Sequence, residues 1–398
     1  MKIFGFPFFF KAGHKKVDIL VFDETNSELI NQVVPKEFSK DIFKSRPINI
    51  FITLPVLLNM FKNLKDLRFS KNFLNKKYFI SDILWQLLCI YTKSYIQTLN
   101  PKAVMTSIDN CTKFAWLSEN IKTIPFIAIQ NGFRLSSDVD GDRYNCQHLF
   151  CFGKFEIEKF KKRGFIVENF YPVGSLIAST KFLNINSKKH IDYHILVVSC
   201  WRGNIGFGQD VKDSMKAMRL FDEDLSEFLK RKNLKAAVIM RSERDSDQWH
   251  MPEIGMTEEE YYKTIYEDSI EIIDNDLYEK NIYGLMMNSE LIISGFSSTA
   301  LIEAFGFGKK ILYCNYTKTD KYHADFNEDI VFKKNENENE RDNLQEILDR
   351  LLEIPEKEYQ EKFKDLMHYY QSFPKGTSSK NFIKSKINQI ILKNESKI

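Results

Sequence analysis

The sequence predicts an α/β protein with two Rossmann-like domains that face each other across a cleft, followed by a C-terminal helical segment. Short β-branched and aromatic runs alternate with longer helical patterns along most of the chain, as in proteins with parallel sheets. This alternation breaks into polar residues at 182–190 and then restarts, and only helical patterns follow the charged stretch 335–340. We therefore expect domains at 1–185 and 190–335, with helices over 340–398 that pack back across the domains.

Length, charge and cysteine content narrow the class of protein. A chain of 398 residues is long enough for two or three domains. Its 57 basic and 54 acidic residues nearly cancel, which argues against a nucleic-acid-binding protein. The six cysteines form no C-x-x-C pair, so neither a zinc ribbon nor a redox motif is expected, and a reduced, cytoplasmic setting is the simpler interpretation.

The first half begins with an apolar stretch, 1–10, that we interpret as a core strand. It contains one lysine and Pro7 and has no small-residue cleavage site, unlike a signal peptide. The apolar stretch 48–61 is too short to cross a bilayer. Helices are expected over 81–99 and 110–120. The strands expected in this half are 2–6, 17–22, 48–53, 103–107, 126–130, 148–152 and 170–173.

The second half repeats the same alternation of strand and helix. A buried strand at 194–199 opens it. The further strands expected are 236–240, 270–273, 291–294 and 311–314. Three helical patterns, at 342–353, 355–371 and 378–393, complete the chain.

The segment 291–314 carries the strongest signal for a ligand. A buried strand ends in Ser294-Gly295, and a helix opens directly after it with Ser297, Ser298 and Thr299 and carries Glu303. Hydroxyls and free N–H groups at a helix N-terminus, beside the carboxyl end of a strand, are suited to the phosphate of a nucleotide. The alternative is simple capping, because Ser and Thr are preferred there anyway.

A second segment, 198–208, follows the first strand of the second half. Its three glycines allow close approach of the backbone, Arg202 beside Gly203 adds a fixed positive charge, and Ser199 adds a hydroxyl. The segment matches neither a Walker loop nor G-x-G-x-x-G. Arg241 ends the next strand, and it either reaches the same pocket or pairs with a nearby carboxylate at the surface.

In the first half, polar residues follow several strands. The strand 126–130 ends in Gln130 and Asn131, with Arg134 shortly after. Such a turn usually faces the ligand cleft of a parallel sheet.

Three residues of the first half are candidates for the general base: Asp109, His14 and Glu158. A reaction that retains configuration would instead use a carboxylate as nucleophile. Each of the three is also explained by a structural role. Three D-x-D patterns lack a confirming partner, so no metal site is expected.

These segments resemble a known family. The stretches 155–176, 130–134 and 294–303 are similar to bacterial surface-polysaccharide glycosyltransferases of the GT-B type, from O-antigen and capsule clusters. The similarity includes the transferases that move 3-deoxy-D-manno-oct-2-ulosonic acid (Kdo) from its CMP-activated form, and it covers about residues 125–320. The S-S-T turn is shared more loosely with sialyltransferases and polyol-phosphate transferases.

The resemblance implies an enzyme that transfers a sugar, most simply Kdo from CMP-Kdo, to a growing surface polysaccharide. Ser297, Ser298 and Thr299 would hold the donor phosphate, and Ser199 and Arg202 would lie near the nucleotide or the sugar carboxylate. Asn131 and Arg134 would line the acceptor side. No cofactor and no metal are expected, because helix N–H groups and an arginine can neutralise the leaving phosphate.

The expected partners are a nucleotide sugar and a glycan or lipid-linked glycan, without nucleic acid. The expected location is the cytoplasm, with the inner face of the membrane and polysaccharide-assembly proteins as further contacts. Two alternatives stay open. One is another enzyme on the same fold, a polyol-phosphate transferase or a nucleotide-sugar epimerase. The other is a non-catalytic partner in polysaccharide assembly.

Overall fold

The computed structural model divides the chain into two compact units. One contains Met1–Asn131, Gly141–Leu176 and Phe373–Ile398, and the other contains Gly132–Asp140 and Ile177–Ser372. The residues described are 2–3, 6–10, 16–23, 27–44, 50–67, 76–134, 145–182, 191–199, 201, 209–241, 255–274, 282–295, 298–317, 326–334 and 340–396.

Strands and helices alternate through both units. As far as Pro172 the elements are β1 (Lys2–Ile3), β2 (Phe6–Phe10), β3 (Ile19–Phe22), α1 (Ser27–Val33), β4 (Lys40–Phe43), β5 (Ile50–Ile52), α2 (Leu54–Asn63), a 3-10 turn (Leu64–Asp66), α3 (Lys76–Leu99), β6 (Ala103–Thr106), α4 (Thr112–Asn120), β7 (Phe126–Ile129), β8 (Cys146–Cys151), α5 (Lys154–Lys162) and β9 (Val167–Pro172). The remainder are α6 (Leu176–Phe182), β10 (Tyr193–Val198), α7 (Gln209–Lys232), β11 (Ala236–Ile239), α8 (Glu258–Tyr266), β12 (Glu271–Ile273), α9 (Ile282–Met287), β13 (Ser289–Ser294), α10 (Thr299–Gly306), β14 (Lys310–Asn315), a 3-10 turn (Glu328–Ile330), β15 (Val331–Lys333), α11 (Glu340–Glu353), α12 (Glu356–Tyr370) and α13 (Ser379–Glu395).

The first unit is built on a six-stranded parallel sheet in the order β4-β3-β6-β7-β8-β9. Its central strands β3, β6 and β7 are buried along their length and apolar except for Thr106 at the end of β6, as expected where helices cover both faces. In chain order the strands read 2-1-3-4-5-6, so the direction of winding reverses between β3 and β6. At such a reversal the carboxyl ends of the strands leave a crevice.

Helix α13 belongs to this first unit although it ends the chain. Its residues Ile383, Ile387 and Ile391 are fully buried and join the core of the β3–β6 sheet, because a spacing of four places them on one face. Gly174 adopts a φ of +70°, and a Cβ there would lie 2.3 Å from the ring of Phe373. Only glycine fits where the returning chain meets the end of β9.

The second unit contains a six-stranded parallel sheet in the order β12-β11-β10-β13-β14-β15. In chain order this reads 3-2-1-4-5-6, and the reversal lies between β10 and β13. Helices α11 and α12 belong to this unit. The Tyr359 hydroxyl of α12 accepts the N–H of Ile311 at 3.2 Å, which ties that helix to β14.

The structure differs from the sequence prediction at the N-terminus and at two edges. The stretch expected as one core strand forms two antiparallel strands, β1 and β2, and β2 also pairs with β5, so the three make a separate sheet. The edge strands β4 and β15 were not predicted. The first three residues of β4 are exposed, so its sequence has no apolar run to mark it.

Helices α2 and α3 of the first unit pack together through polar side chains. The amide of Asn63 donates to the Ser94 hydroxyl at 2.9 Å and to Gln97 at 2.8 Å. The amide of Asn59 donates to the Thr98 hydroxyl at 3.0 Å. Of the helices in the described ranges, none is both long and apolar enough to cross a membrane.

Candidate functional site

In the second unit, residues predicted to bind the sugar donor follow β10 and β13, the two strands between which the strand order reverses. Ser199 follows β10, and Ser298 follows β13, the neighbouring strand. The Ser294 hydroxyl donates to the Val198 carbonyl at 2.9 Å, which holds the two strand ends together. The carboxyl ends of adjacent parallel strands at a reversal are the usual place for a ligand in this architecture.

Helix α10 begins at this edge with an uncapped first turn. Ser298 is the N-cap residue, with extended backbone (φ −129°, ψ 138°), but its hydroxyl accepts no N–H of the helix. Within the described part of the chain, the N–H groups of Thr299, Ala300 and Leu301 also have no hydrogen-bond acceptor. Ser298 and Thr299 are half-buried. The positive end of this helix is therefore available to an anion.

A turn from earlier in the chain lies against α10. The N–H of Phe133 donates to the Thr299 hydroxyl oxygen at 3.0 Å. A Cβ on Gly132 would approach the same oxygen to 3.3 Å, so a side chain there would press on Thr299. Arg134 follows, half-buried, in the same unit. The Thr299 hydroxyl still has its own proton to donate.

Behind the end of β10, Ser199 is held by a buried network. Its hydroxyl donates to the Glu258 carboxylate and accepts from the Tyr262 hydroxyl at 2.7 Å and from the Trp201 N–H at 3.1 Å. The same Glu258 oxygen accepts the N–H of Arg241 at 2.9 Å. The Arg241 guanidinium donates to the Trp201 carbonyl at 3.2 Å. One carboxylate thus fixes the ends of both β10 and β11.

Two further buried carboxylates of this unit are satisfied by tyrosines. Asp222 accepts from Tyr261 at 2.8 Å and from Tyr266 at 2.7 Å, and burial raises the pKa of Asp222 to about 7. Glu303, on α10, accepts from Tyr283 at 3.0 Å and is almost fully buried. Burial of Tyr283 raises the pKa of its hydroxyl, and the negative charge of Glu303 beside it raises that pKa further.

In the first unit, two aspartates follow the strands that flank the reversal. Asp23 follows β3, is buried and has a φ of +82°, a conformation that side-chain-bearing residues adopt rarely. Asp109 lies just beyond β6, is also buried, and accepts the N–H of Asn131 at a long 3.5 Å. Two carboxylates therefore follow adjacent strands at this edge. Strained backbone at such a place is a known mark of functional residues.

Gln130 takes part in a closed cluster at the same edge. Its amide donates to the buried Glu156 carboxyl at 3.3 Å and its carbonyl accepts the N–H of Phe152 at 3.1 Å. Glu156 also accepts the N–H of Gly153 at 3.1 Å, which caps α5. Burial raises the pKa of Glu156 to about 7. The cluster ties β7, β8 and α5 together.

Comparisons with known proteins give a fold and no family. No family model matches the sequence, and no curated protein matches it. Among solved structures, the UDP-GlcNAc 2-epimerase from Methanocaldococcus jannaschii is similar with a TM-score of 0.50 and 12% identity, over 93% of this chain and 99% of that one. The UDP-N-acetylglucosamine 2-epimerase from Rickettsia bellii is similar with a TM-score of 0.50 and 12% identity, over 95% of this chain and 97% of that one. The wall teichoic acid polymerase TagF is similar with a TM-score of 0.50 and 13% identity, over 94% of this chain and 89% of that one.

The chain has a GT-B-like fold. The two six-stranded parallel sheets, each with its own helices, and the helical C-terminal segment confirm the fold class predicted from the sequence. At identities of 12–13% the likeness concerns the fold.

Within this GT-B-like fold, the structure brings some of the predicted site residues together. Ser298, Thr299 and Arg134 lie in one unit around the start of α10, with Glu303 on the same helix. Ser199 and Arg241 share Glu258 as partner. His14, Arg202, Gly203 and Ser297 lie outside the described residues.

The first-half candidates differ in position. Asp109 and Asn131 lie at the carboxyl edge of the sheet, linked by their hydrogen bond. Glu158 is exposed on α5, which follows β8, two strands beyond β6 in the sheet. The roles of all these residues stay predictions.

Two residues at the carboxyl edges of the sheets, Asp23 and Glu258, are not among the candidates selected from the sequence. Asp23 follows β3 directly, and only the strand order places it beside the end of β6. Glu258 lies 59 positions from Ser199, so no local pattern connects them. A sequence signal existed for Asp23, since a polar residue closing a buried run is the pattern that selected Asp109.

A cavity of about 320 Å³ lies elsewhere in the first unit, at the opposite edge of its sheet. It is lined by residues of β8 and β9, by Lys386 and Lys393 of α13, and by the segment between α4 and β7, which contributes Lys122. None of the predicted site residues lines it. In the described ranges, no group of three or more His, Cys, Asp or Glu side chains is arranged to hold a metal ion.

Proposed function

We propose that this protein is a glycosyltransferase that moves a sugar from a nucleotide-activated donor to a growing surface glycan. The observation that carries the proposal is the uncapped first turn of α10 at the reversal of the second sheet, where Ser298 and Thr299 offer hydroxyls and N–H groups to an anion. The GT-B-like fold is shared with proteins whose names include nucleotide-sugar epimerases and a teichoic acid polymerase.

The donor that we propose is a CMP-activated 2-keto-3-deoxy acid such as Kdo, following the resemblance of 155–176 and 294–303 to the CMP-Kdo-using transferases. The donor phosphate would bind at the first turn of α10. Ser297 would add a third hydroxyl to those of Ser298 and Thr299. Arg202 or Arg241 would face the sugar carboxylate or the nucleotide. A leaving phosphate neutralised by helix N–H groups and an arginine needs neither a metal nor a cofactor.

The acceptor chemistry is proposed for the first unit. An acceptor hydroxyl oxygen bonds to the anomeric carbon while the bond from that carbon to the CMP phosphate oxygen breaks. The hydroxyl proton passes to Asp109 as general base, and the electron pair of the broken bond leaves with CMP. Asp109 is preferred to Glu158 because it follows a strand at the reversal of the sheet, whereas Glu158 is exposed two strands away. Asn131 would hold the acceptor in this unit, a glycan or lipid-linked glycan in the cytoplasm or at the inner face of the membrane. Arg134, the other residue proposed for the acceptor, belongs to the second unit.

A donor panel tests this function. The full-length protein is titrated calorimetrically with CMP, CDP, UDP, GDP and dTDP, and then incubated with CMP-Kdo and a saccharide acceptor while released CMP is measured. We expect CMP to bind most tightly and to be released only with acceptor present. Binding of no nucleotide would refute the proposal and favour a non-catalytic partner in polysaccharide assembly.

A second candidate function is epimerisation of a UDP-sugar, favoured by the likeness of the fold to two UDP-GlcNAc 2-epimerases. Incubation with UDP-GlcNAc followed by mass spectrometry and NMR separates the two. An epimerised sugar or released UDP without any acceptor would favour the epimerase. Transfer of a polyol phosphate from a CDP-polyol, suggested by the likeness to TagF, would appear in the same assay as CMP release with that donor.

A further inference from the structure

Helix α2 of the first unit exposes its apolar side. Leu54 and Phe61 have 70% and 71% of their surface exposed. With Leu57, Leu58 and Leu64 they are spaced at positions 0, 3, 4, 7 and 10, which is one stripe along a helix. We call these five residues the α2 stripe. Single exposed leucines are common on proteins, but five in one stripe are not.

The opposite side of the same helix carries two asparagines beside the buried Val56. Asn59 and Asn63 face α3, where their amides donate to Thr98, Ser94 and Gln97. An amphipathic helix on the water-facing surface of a globular protein would turn its leucines toward the protein and its asparagines toward water. The orientation of α2 is fixed by these three hydrogen bonds, so the exposed stripe is a built feature of the fold.

The charge around the stripe is positive. Lys62 and Lys65 are exposed beside it, and residues 54–65 contain no acidic side chain. The nearest carboxylate along the chain, Asp66, is paired with Lys93 at 2.7 Å. A leucine–phenylalanine stripe flanked by lysines matches a surface of acyl chains below anionic headgroups.

The size of the stripe distinguishes among occupants. Its side chains expose on the order of 500 Å² of apolar surface, which is the range of functional patches on single proteins. A stable dimer buries about 800 Å² on each partner, and it uses polar groups around an apolar centre. The stripe is a convex helix side with lysines at one end. We propose that the α2 stripe docks this protein on an anionic lipid bilayer, with the helix lying in the plane of the headgroups.

This proposal is independent of the donor and of the reaction. The test uses the full-length protein and flotation with vesicles of phosphatidylcholine, with or without phosphatidylglycerol. We expect binding to the anionic vesicles. The double variant Leu58→Ser/Phe61→Ser should lower the partition coefficient at least tenfold, because binding scales with the apolar area inserted. The variant Lys62→Gln/Lys65→Gln should weaken binding to the anionic vesicles and leave binding to the neutral ones unchanged.

Matched controls come from exposed apolar residues outside the stripe. Ile166 and Leu392 are 63% and 57% exposed, so Ile166→Ser/Leu392→Ser removes a similar apolar area and should change vesicle binding less than twofold. Thermal unfolding checks that each variant is folded. The proposal is overturned if the wild type binds neither vesicle, or if the stripe variant binds as the wild type does. It is also overturned if sedimentation velocity finds a dimer that the stripe variant converts to a monomer.

Discussion

Replacing Ser298 by alanine separates anion binding from helix capping. Both functions suit a serine at the start of a helix, but only capping predicts a loss of stability in the alanine variant, and only anion binding predicts a loss of ligand affinity. The structure supplies a matched control in Ser378, which is the N-cap of α13 and accepts the N–H of Asn381 at 3.2 Å. Ser298 occupies the same position on α10 and accepts no helix N–H.

The expected magnitudes follow from these contacts. Ser378→Ala removes a capping hydrogen bond and should lower the free energy of unfolding by about 1 kcal/mol. Ser298→Ala removes no such bond and should change it by less than about 0.5 kcal/mol. If the Ser298 hydroxyl donates to a bound phosphate, its loss should cost about 2 kcal/mol of binding, which is roughly a 30-fold rise in Kd.

Two measurements on the same three proteins decide the matter. Urea denaturation gives the free energy of unfolding of the wild type, Ser298→Ala and Ser378→Ala. Calorimetric titration gives the Kd of each for the tightest-binding nucleotide of the panel. The reasoning is refuted if Ser298→Ala loses about as much stability as Ser378→Ala and binds the nucleotide as the wild type does.

Further changes test the first unit and the packing of the second. Asp109→Asn should lower kcat about 10²–10⁴-fold in the CMP-release assay, whereas Glu158→Gln should stay within threefold, and equal losses would contradict the choice of base. Asp23→Asn keeps a residue that tolerates positive φ, so reduced activity with unchanged stability would identify a role for the charge. Burial raises the pKa of Glu156 from 4.5 to about 7, so the folded state holds the proton more tightly and the free energy of unfolding should fall as pH rises from about 4.5 to about 7. Asp222, whose pKa is also raised to about 7, contributes to the same fall, so the contribution of Glu156 is read as the difference between the wild type and Glu156→Gln. That difference should amount to about 3 kcal/mol, as measured by urea denaturation across the range. Gly295→Ala would place a Cβ 2.7 Å from the ring of Phe221 and should destabilise the second unit by about 1–3 kcal/mol, measured by thermal unfolding.

Much of the architecture could be predicted from local sequence. Strands such as β10, β11, β13 and β14 are short apolar runs between polar ends, and the structure places each within two residues of its predicted bounds. The three C-terminal helices were found in the same way, from apolar periodicity and breaks at proline and glycine. These signals are local, because side-chain spacing and backbone propensity act over a few residues.

The candidate site was predictable in part. Ser298 and Thr299 could be selected because hydroxyl residues follow a buried strand and open a helix. The hydrogen-bond network around the Ser199 hydroxyl could not be predicted, because its partners Glu258 and Tyr262 are about 60 residues further along the chain.

The sequence by itself determined the alternation of strands and helices, the two halves and the residues that end each strand. Tertiary structure decided which strand ends are neighbours: the strands that Asp23 and Asp109 follow are adjacent at one reversal, and those that Ser199 and Ser298 follow are adjacent at the other. It also turned the asparagines of α2 inward and its leucines outward, an orientation opposite to the one that amphipathicity alone would predict. The physical reason is that periodicity fixes which side chains share a face, whereas long-range hydrogen bonds and strand order fix what that face meets.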